Sequence, residues 1–453
     1  MQTDYSQNFK RNIDRLLQGP QSPDKEFIRS GATFGEVYEI AASLRCELAG
    51  FRHQKKAVCL AADDKAVIAA ALLASLGGGP PLLLPYAFSA RSLDKMQRET
   101  DFTTAISDPG REFPEKVKIL SPLQKLSSGT ETNKTISPES ELVKIFTGGS
   151  TGSPQVWPKT AENIFAEGFF LANRYNITGQ DCILATVPPY HIYGLLFSVI
   201  LPLVSTATVI KDIPSFPDEI SSTAIKNRVT ILASVPAHYR ALRDKKISLR
   251  LAVSSAGMLD EGDNITFSRL NEKGIEEIYG STETGGIATR NRFLGEDYFT
   301  PFPTIDWRIK NHRLAVRSPY ISPALPVDSE GFFTANDRVN AEGFTQFSLG
   351  GRTDAVTKVG GKRVDLEEIS TLIRGEPGVD DCVVLALPEK GGREHRISVL
   401  IEGETVQTEK IRETLAATLE PYALPRRIKI IHRIPVNKNG KYDWHAITRF
   451  LER

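Results

Sequence analysis

Cysteine, tryptophan and methionine are scarce in this chain: four, three and three among 453 residues. The cysteines, Cys46, Cys59, Cys182 and Cys382, form no CxxC pair and gather no histidines around them. That excludes a zinc ribbon or a disulfide framework and suits a reducing cytoplasm. An excess of one charge is missing as well. Fifty-six Lys and Arg face 55 Asp and Glu, a net charge of +1, so no overall field draws the chain to nucleic acid or to an anionic membrane. Nor is there an unbroken apolar run of the roughly 20 residues that a membrane span needs. Residues 66–88 are interrupted by Gly77, Gly78, Gly79, Pro80 and Pro81, and residues 194–210 carry Pro202, so both read as buried helix or strand. The N-terminus, MQTDYSQNFKRNIDRLLQGP, is polar and amphipathic and lacks the apolar centre of a secretion signal. No period of 20 to 50 residues is visible, which excludes solenoids and propellers.

What is there is an α/β pattern. With 40% of positions hydrophobic and 25% charged, a chain of this length reads as two or three domains. A helix-like segment at 64–76 and strand-like segments at 142–146, 207–211, 229–235 and 251–255 alternate, as in a parallel sheet flanked by helices. Residues 127–141, rich in Ser, Thr, Asn and Glu, read as a surface loop. The last hundred residues form a smaller α+β unit, with strands at 382–387, 397–401 and 428–431. In the helix expected at 366–374, Leu366, Ile369 and Ile373 share one face, Asp365 and Glu368 suit a capping box, and Gly375 and Pro377 end it. We therefore divide the chain into a large domain, 1–351, and a small C-terminal domain, 352–453.

Four segments carry chemistry. The first, FTGGSTGSP at 146–154, follows a strand and offers backbone N–H groups and hydroxyls to phosphate oxygens, although a plain turn would look the same. It lacks the Gly-Lys-Ser/Thr ending of the common NTPase loop and the GxGxxG dinucleotide pattern. The second, YGSTETGG at 279–286, sets a flat ring that can stack on a base close to Glu283, a carboxylate suited to Mg²⁺. The third, GGRTDAVTKVGGKRVDLEEI, starts at Gly350, and the fourth, IPVNKNGKYDW, at Ile434; they set Arg352 and Lys441 beside glycines, where a cation can approach an anion.

Together and in this order, from about Thr33 to Trp444, these segments resemble the acyl-adenylate-forming superfamily of acyl-CoA synthetases, aryl-CoA ligases, peptide-synthetase adenylation domains and luciferases. The resemblance implies ATP-dependent activation of a carboxylic acid to an acyl-adenylate, with Mg²⁺, and transfer of the acyl group to CoA. By it, Thr147, Gly148, Gly149, Ser150, Thr151 and Gly152 would hold the departing phosphates. The family's loop ends in Pro-Lys where this one has Pro154 and Gln155, and Lys159 is the expected substitute. Tyr279 would stack on adenine, with Ala256, Gly257, Gly280 and Ser281 around the nucleotide, Thr282 on phosphate and Glu283 on Mg²⁺. Asp337 would bind the ribose hydroxyls, although the family's preceding Thr-Gly is Ala335-Asn336 here, and Arg352 would bind ribose or phosphate. Lys441 would reach the substrate carboxylate and the α-phosphate. Asp354 would be the hinge of the small domain, and Gly360 and Gly361 would line the thiol path, unless they form only a hairpin turn.

For the acyl group, PPYHIYG at 188–194 resembles the segment of 4-coumarate:CoA ligases in which His191 orients the acid and Tyr193 lines its pocket, together with Ser255 and Gly280. That implies an aromatic or aryl-alkenoic acid; the competing reading of His191 is a core histidine. The thiol could instead be the phosphopantetheine of an acyl carrier protein. A relative that binds nucleotide or acyl-adenylate without turning it over is a further alternative, motivated by Gln155 and Asn336.

Overall fold

The computed structural model describes residues 2–51, 56–121, 135–147, 155–272, 274–311, 313–352, 356–359, 362–388, 395–435 and 444–452. Short, largely apolar strands form the first sheet: β1 (Val58–Ala61), β2 (Leu82–Leu84), β3 (Thr104–Ser107), β4 (Lys118–Leu120), β5 (Glu141–Thr147) and β6 (Gln155–Thr160), in the order β4-β3-β1-β2-β5-β6. All pairs are parallel except β5 with β6, whose antiparallel ladder ends with Thr147 opposite Gln155. The helix Lys65–Leu76 crosses between β1 and β2. Asp64 caps it by accepting the Ala66 N–H at 2.8 Å, and every one of its residues is buried, so its Ala and Leu side chains serve as core all round.

The second sheet comprises β7 (Cys182–Ala185), β8 (Thr208–Val209), β9 (Ile231–Ser234), β10 (Leu251–Ser254), β11 (Ile275–Ser281), β12 (Gly285–Arg290) and β13 (Thr300–Pro301), ordered β13-β12-β11-β10-β9-β7-β8. From β8 to β11 it is parallel; β12 and β13 then run back antiparallel. β8 is shorter than the expected 207–211 because it is the edge strand and Thr206 enters it from a left-handed turn, φ 60°. An antiparallel sheet follows: β14 (Asp306–Lys310), β15 (Arg313–Arg317), β16 (Phe333–Glu342) and β17 (Gln346–Arg352).

The small C-terminal domain opens with the antiparallel pair β18 (Val356–Val359) and β19 (Lys362–Asp365), in which Val359 faces Lys362. The helix Leu366–Arg374 comes next, within the bounds its periodicity suggested, and packs on a sheet of β20 (Asp381–Pro388), β21 (His395–Glu402) and β22 (Arg427–Ile431). Ile369 and Ile373 are fully buried in a core separate from that of the large domain. The expected strands at 382–387, 397–401 and 428–431 are present, each extended by one or more residues.

One close approach shapes the region below. Gly194 lies so near the preceding turn that a Cβ there would sit 1.9 Å from the carbonyl oxygen of Pro188. Gly194→Ala must push the helix that begins at Ile192 away from residues 188–191, and overpacking of this kind costs about 1–3 kcal/mol. The expected result is a lower urea midpoint at unchanged m-value; an unchanged midpoint would show that the segment yields freely.

Candidate active site

In an open parallel sheet, ligands are met at the carboxyl ends of the strands, where loops diverge. Here the carboxyl end of β7 leads into Pro188–His191, that of β10 into Ser255, Ala256 and Gly257, and that of β11, formed by Gly280 and Ser281, into Thr282 and Glu283. Three segments far apart in sequence thus emerge on one edge. Ser255 ties two of them together, its Oγ donating to the Ile278 carbonyl at 2.8 Å. Ala256 holds φ at +68°, a region that L-residues enter at a cost, and such outliers gather at functional turns.

Tyr279 packs against Phe299 and Phe347, with ring centroids 5.7 and 5.9 Å away, and its hydroxyl donates to Asp337 Oδ2 at 2.7 Å. The proposed adenine and ribose contacts are therefore neighbours. Arg352 lies opposite Asp337 in the β16–β17 ladder. Asn336, which replaces the family's glycine, accepts from Arg313 Nη2 at 2.6 Å through its Oδ1, so this departure has a structural use. Thr147 ends β5 with its Oγ1 accepting the Trp157 indole N–H at 3.1 Å. Gly148, Gly149, Ser150, Thr151, Gly152, Asp354, Gly360, Gly361 and Lys441 lie outside the described residues.

Glu283 is 8% exposed, and its Oε1 accepts from Arg363 Nη1 at 2.7 Å. Arg363 belongs to β19, so this ion pair crosses from the small domain to the large one. Burial alone would raise the Glu283 pKa. The Arg363 charge, the residue's own amide and the Ser281 hydroxyl outweigh burial and hold the carboxyl below the usual range, so it stays ionised. Sequence reasoning passed over Arg363; the only signal was a basic pair, Lys362-Arg363, directly after two glycines. Carboxylate and hydroxyl oxygens from Glu283, Thr282 and Ser281 are hard donors that fit Mg²⁺. Among the described residues no group of three or more His, Cys, Asp or Glu could hold a metal, so a cation at Glu283 would complete its shell with nucleotide phosphates and water.

Lys159 does not stand in for the missing loop lysine. It lies within β6, 1% exposed, with its Nζ donating to the carbonyls of Tyr320 at 2.7 Å and Glu283 at 3.0 Å. Its charge is spent inside the protein, beneath the Glu283 turn.

On the acyl side, Tyr193 is anchored through its hydroxyl to the Val253 and Ser234 carbonyls, at 2.9 and 3.1 Å, and meets Phe197 edge-on at 5.2 Å. His191 packs against Tyr190, ring centroids 4.9 Å apart. Burial first, and then the positive charge of Lys362, lower its pKa from 6.5 to about 4. The ring is therefore neutral at physiological pH. Because the unfolded chain binds that proton near 6.5 and the folded one only near 4, this contribution to stability is complete above 6.5 and is lost as the pH falls towards 4. An NMR titration of the His191 ring should show no protonation between pH 8 and 5, whereas a midpoint near 6.5 would contradict the enclosure described here.

Known proteins resemble this chain in sequence and in fold. The model of the AMP-binding enzyme family matches residues 18–332, and that of the AMP-binding enzyme C-terminal domain matches residues 368–441. The chain is 26% identical over 378 residues to the mitochondrial malonate–CoA ligase of Homo sapiens, covering 67% of this chain and 65% of that protein, slightly under two thirds of its length. To the 4-coumarate–CoA ligase of Rhodobacter capsulatus it is 28% identical over 308 residues, 66% of this chain and 74% of the other. The solved structure of o-succinylbenzoate CoA synthetase from Bacillus subtilis superposes with a TM-score of 0.82 over 97% of this chain and 98% of that one, at 15% identity, a likeness of fold. Among the described residues no helix is long and apolar enough to cross a membrane. With the family model spanning residues 18–332, well over half of its length, this chain belongs to the AMP-binding enzyme family.

Proposed function

We propose that the protein activates a carboxylic acid with ATP and passes the acyl group to the thiol of CoA. The observation that carries this reading is the convergence of Tyr279, Asp337 and an ionised Glu283 at the carboxyl edge of one sheet, where an aromatic face, a hydroxyl acceptor and a cation ligand meet. In the first step a substrate carboxylate oxygen attacks the α-phosphorus of ATP, and the bond from that phosphorus to the bridging oxygen of the β-phosphate breaks, releasing pyrophosphate. In the second step the CoA thiol loses its proton and attacks the acyl carbon, and AMP leaves. Mg²⁺ supplies charge neutralisation on the phosphate oxygens when bound.

The protein's own groups have the following roles in this account. Tyr279 stacks on adenine beside Ala256, Gly257 and Gly280, Asp337 and Arg352 take the ribose, and Thr282 with residues 147–152 takes phosphate. Lys441 neutralises the approach of carboxylate to α-phosphate, since two anions must meet there. Neutral His191 orients the acid without adding a second charge. Arg363 engages Oε1 of Glu283, so its charge stands where a cation at this carboxylate would add a second one. In the adenylating arrangement we expect the small domain to withdraw β19, with Asp354 as the hinge and Lys441 as the group that meets carboxylate and α-phosphate; domain rotation is an established way to reassemble a site. The present pose, in which the Lys362 charge acts on His191 and Arg363 pairs with Glu283, suits the thiol step.

The edge-to-face rings of Tyr193 and Phe197 favour an aromatic acid. A short dicarboxylate is the second reading, because the human relative is a malonate–CoA ligase. The test is carboxylate-dependent exchange of labelled pyrophosphate into ATP over benzoates, cinnamates, malonate and fatty acids. Exchange with an aromatic acid is expected, falling about 10²- to 10³-fold in Lys441→Ala. Exchange with malonate alone would move the substrate to the second reading, and exchange with none of these acids would contradict the ligase reading.

A further inference from the structure

Beneath the turn that presents Glu283 lie two opposite charges to which the reaction assigns no part. Lys159 is 1% exposed and Glu167, on the helix Ala161–Arg174, is 3% exposed. Taking two such groups out of water is costly, and apolar replacements of both are often neutral or stabilising, so stability alone does not account for them. Their hydrogen bonds point to another use. Lys159 Nζ reaches the Glu283 carbonyl, which also accepts the Ser322 amide at 2.8 Å, and the Tyr320 carbonyl. Glu167 Oε1 accepts the Gly286 amide at 2.8 Å. The two side chains therefore hold the two ends of the four-residue segment that runs from Glu283 to Gly286.

The fit is close on both sides. Gly285 turns with φ +69°, and a Cβ on it would lie 2.7 Å from Glu167 Oε2 and 2.6 Å from Tyr320 Cβ. On Gly286 a Cβ would lie 3.0 Å from Glu167 Oε1. Burial lowers the Lys159 pKa and raises that of Glu167, and the charge of each acts against the other's shift. Glu283 itself adds negative charge next to Lys159.

We propose that Lys159 and Glu167 are positioning residues for the reaction, a buried clamp that fixes the Glu283 carboxylate at the depth where it meets the cation and the phosphates of the nucleotide. The proposal rests on the ligase reading for what Glu283 does, but not for how Glu283 is held. It separates the two half-reactions: adenylation depends on Glu283 as a cation ligand and so on the clamp, whereas attack of the thiol on a preformed acyl-adenylate does not.

The test is the double variant Lys159→Met/Glu167→Gln in the full chain, which removes both charges and leaves no buried ion unpaired. Three quantities are measured beside wild type: Mn²⁺ binding in the presence of ATP by electron paramagnetic resonance, pyrophosphate exchange against Mg²⁺, and thioester formation from supplied acyl-adenylate and CoA. Mn²⁺ affinity is expected to fall at least about tenfold and the exchange rate by up to about 10²-fold, the scale on which small misplacements of reacting groups are felt. The half-saturating Mg²⁺ should rise while KM for the acid and the thioester step stay at wild-type values. A folded variant with wild-type Mn²⁺ affinity and exchange would overturn the proposal, as would equal loss in both half-reactions. Should the double variant not fold, Lys159→Met alone removes the bonds to the Glu283 and Tyr320 carbonyls, leaves the Glu167 bond to the Gly286 amide in place, and is held to the same outcomes. Wild-type protein that binds Mn²⁺ with ATP yet exchanges with no acid would defeat the ligase reading while leaving the clamp to be judged by the binding measurement.

Discussion

A carboxylate that stays ionised with almost no access to water needs a cation, and Glu283 is the point where that need organises the molecule. Its side chain draws Arg363 from the small domain, its carbonyl draws Lys159 from the first sheet, and the segment that follows it is held by Glu167. Three parts of the chain that share no sheet are thereby referred to one residue. In the proposed account the Arg363 guanidinium, 2.7 Å from Glu283 Oε1, and a cation at the nucleotide would compete for this one carboxylate. A swap of cations at Glu283 would, on this proposal, link the chemistry to the placement of the small domain.

The sheets set the distances over which this swap acts. Parallel strands β7, β9, β10 and β11 end on one edge, so the His191 turn, the Ser255–Gly257 turn and the Glu283 turn are neighbours although some ninety residues separate the first from the last. The reversal of direction at β12 carries the chain away again and leaves the Glu283 turn between two antiparallel strands. Rings complete the arrangement: Tyr279 leans on Phe299 and Phe347, which stack on each other at 5.9 Å, and its hydroxyl fixes Asp337 in turn.

Much of this was legible in the sequence, for identifiable reasons. The helix Leu366–Arg374 shows its 3.6-residue face and its glycine stop, and β10 is marked by an apolar run that ends in small residues. The β14–β17 sheet was not read, because segments such as Asp306–Lys310 and Arg313–Arg317 carry charges that obscure their alternation. Lys159 was misassigned for a physical reason. Its closeness along the chain to the glycine-rich loop suggested a phosphate contact, whereas its place in β6 turns the ammonium inward to the Tyr320 and Glu283 carbonyls. Arg363 could not be found by motif at all, since its partner lies eighty residues earlier in another domain and only tertiary structure joins them.

The measurement that bears most directly on the swap at Glu283 is the distance between the two domains with and without the nucleotide. Nitroxide labels at the exposed positions Glu219 and Glu413, each changed to Cys in a Cys46→Ser background, report it by double electron–electron resonance. The account predicts one distance for the free protein and a second, distinct one when Mg²⁺, ATP and an unreactive analogue of the acid are added, with Glu283→Gln failing to make the change. A single distance under all these conditions, in protein that still exchanges pyrophosphate, would contradict it.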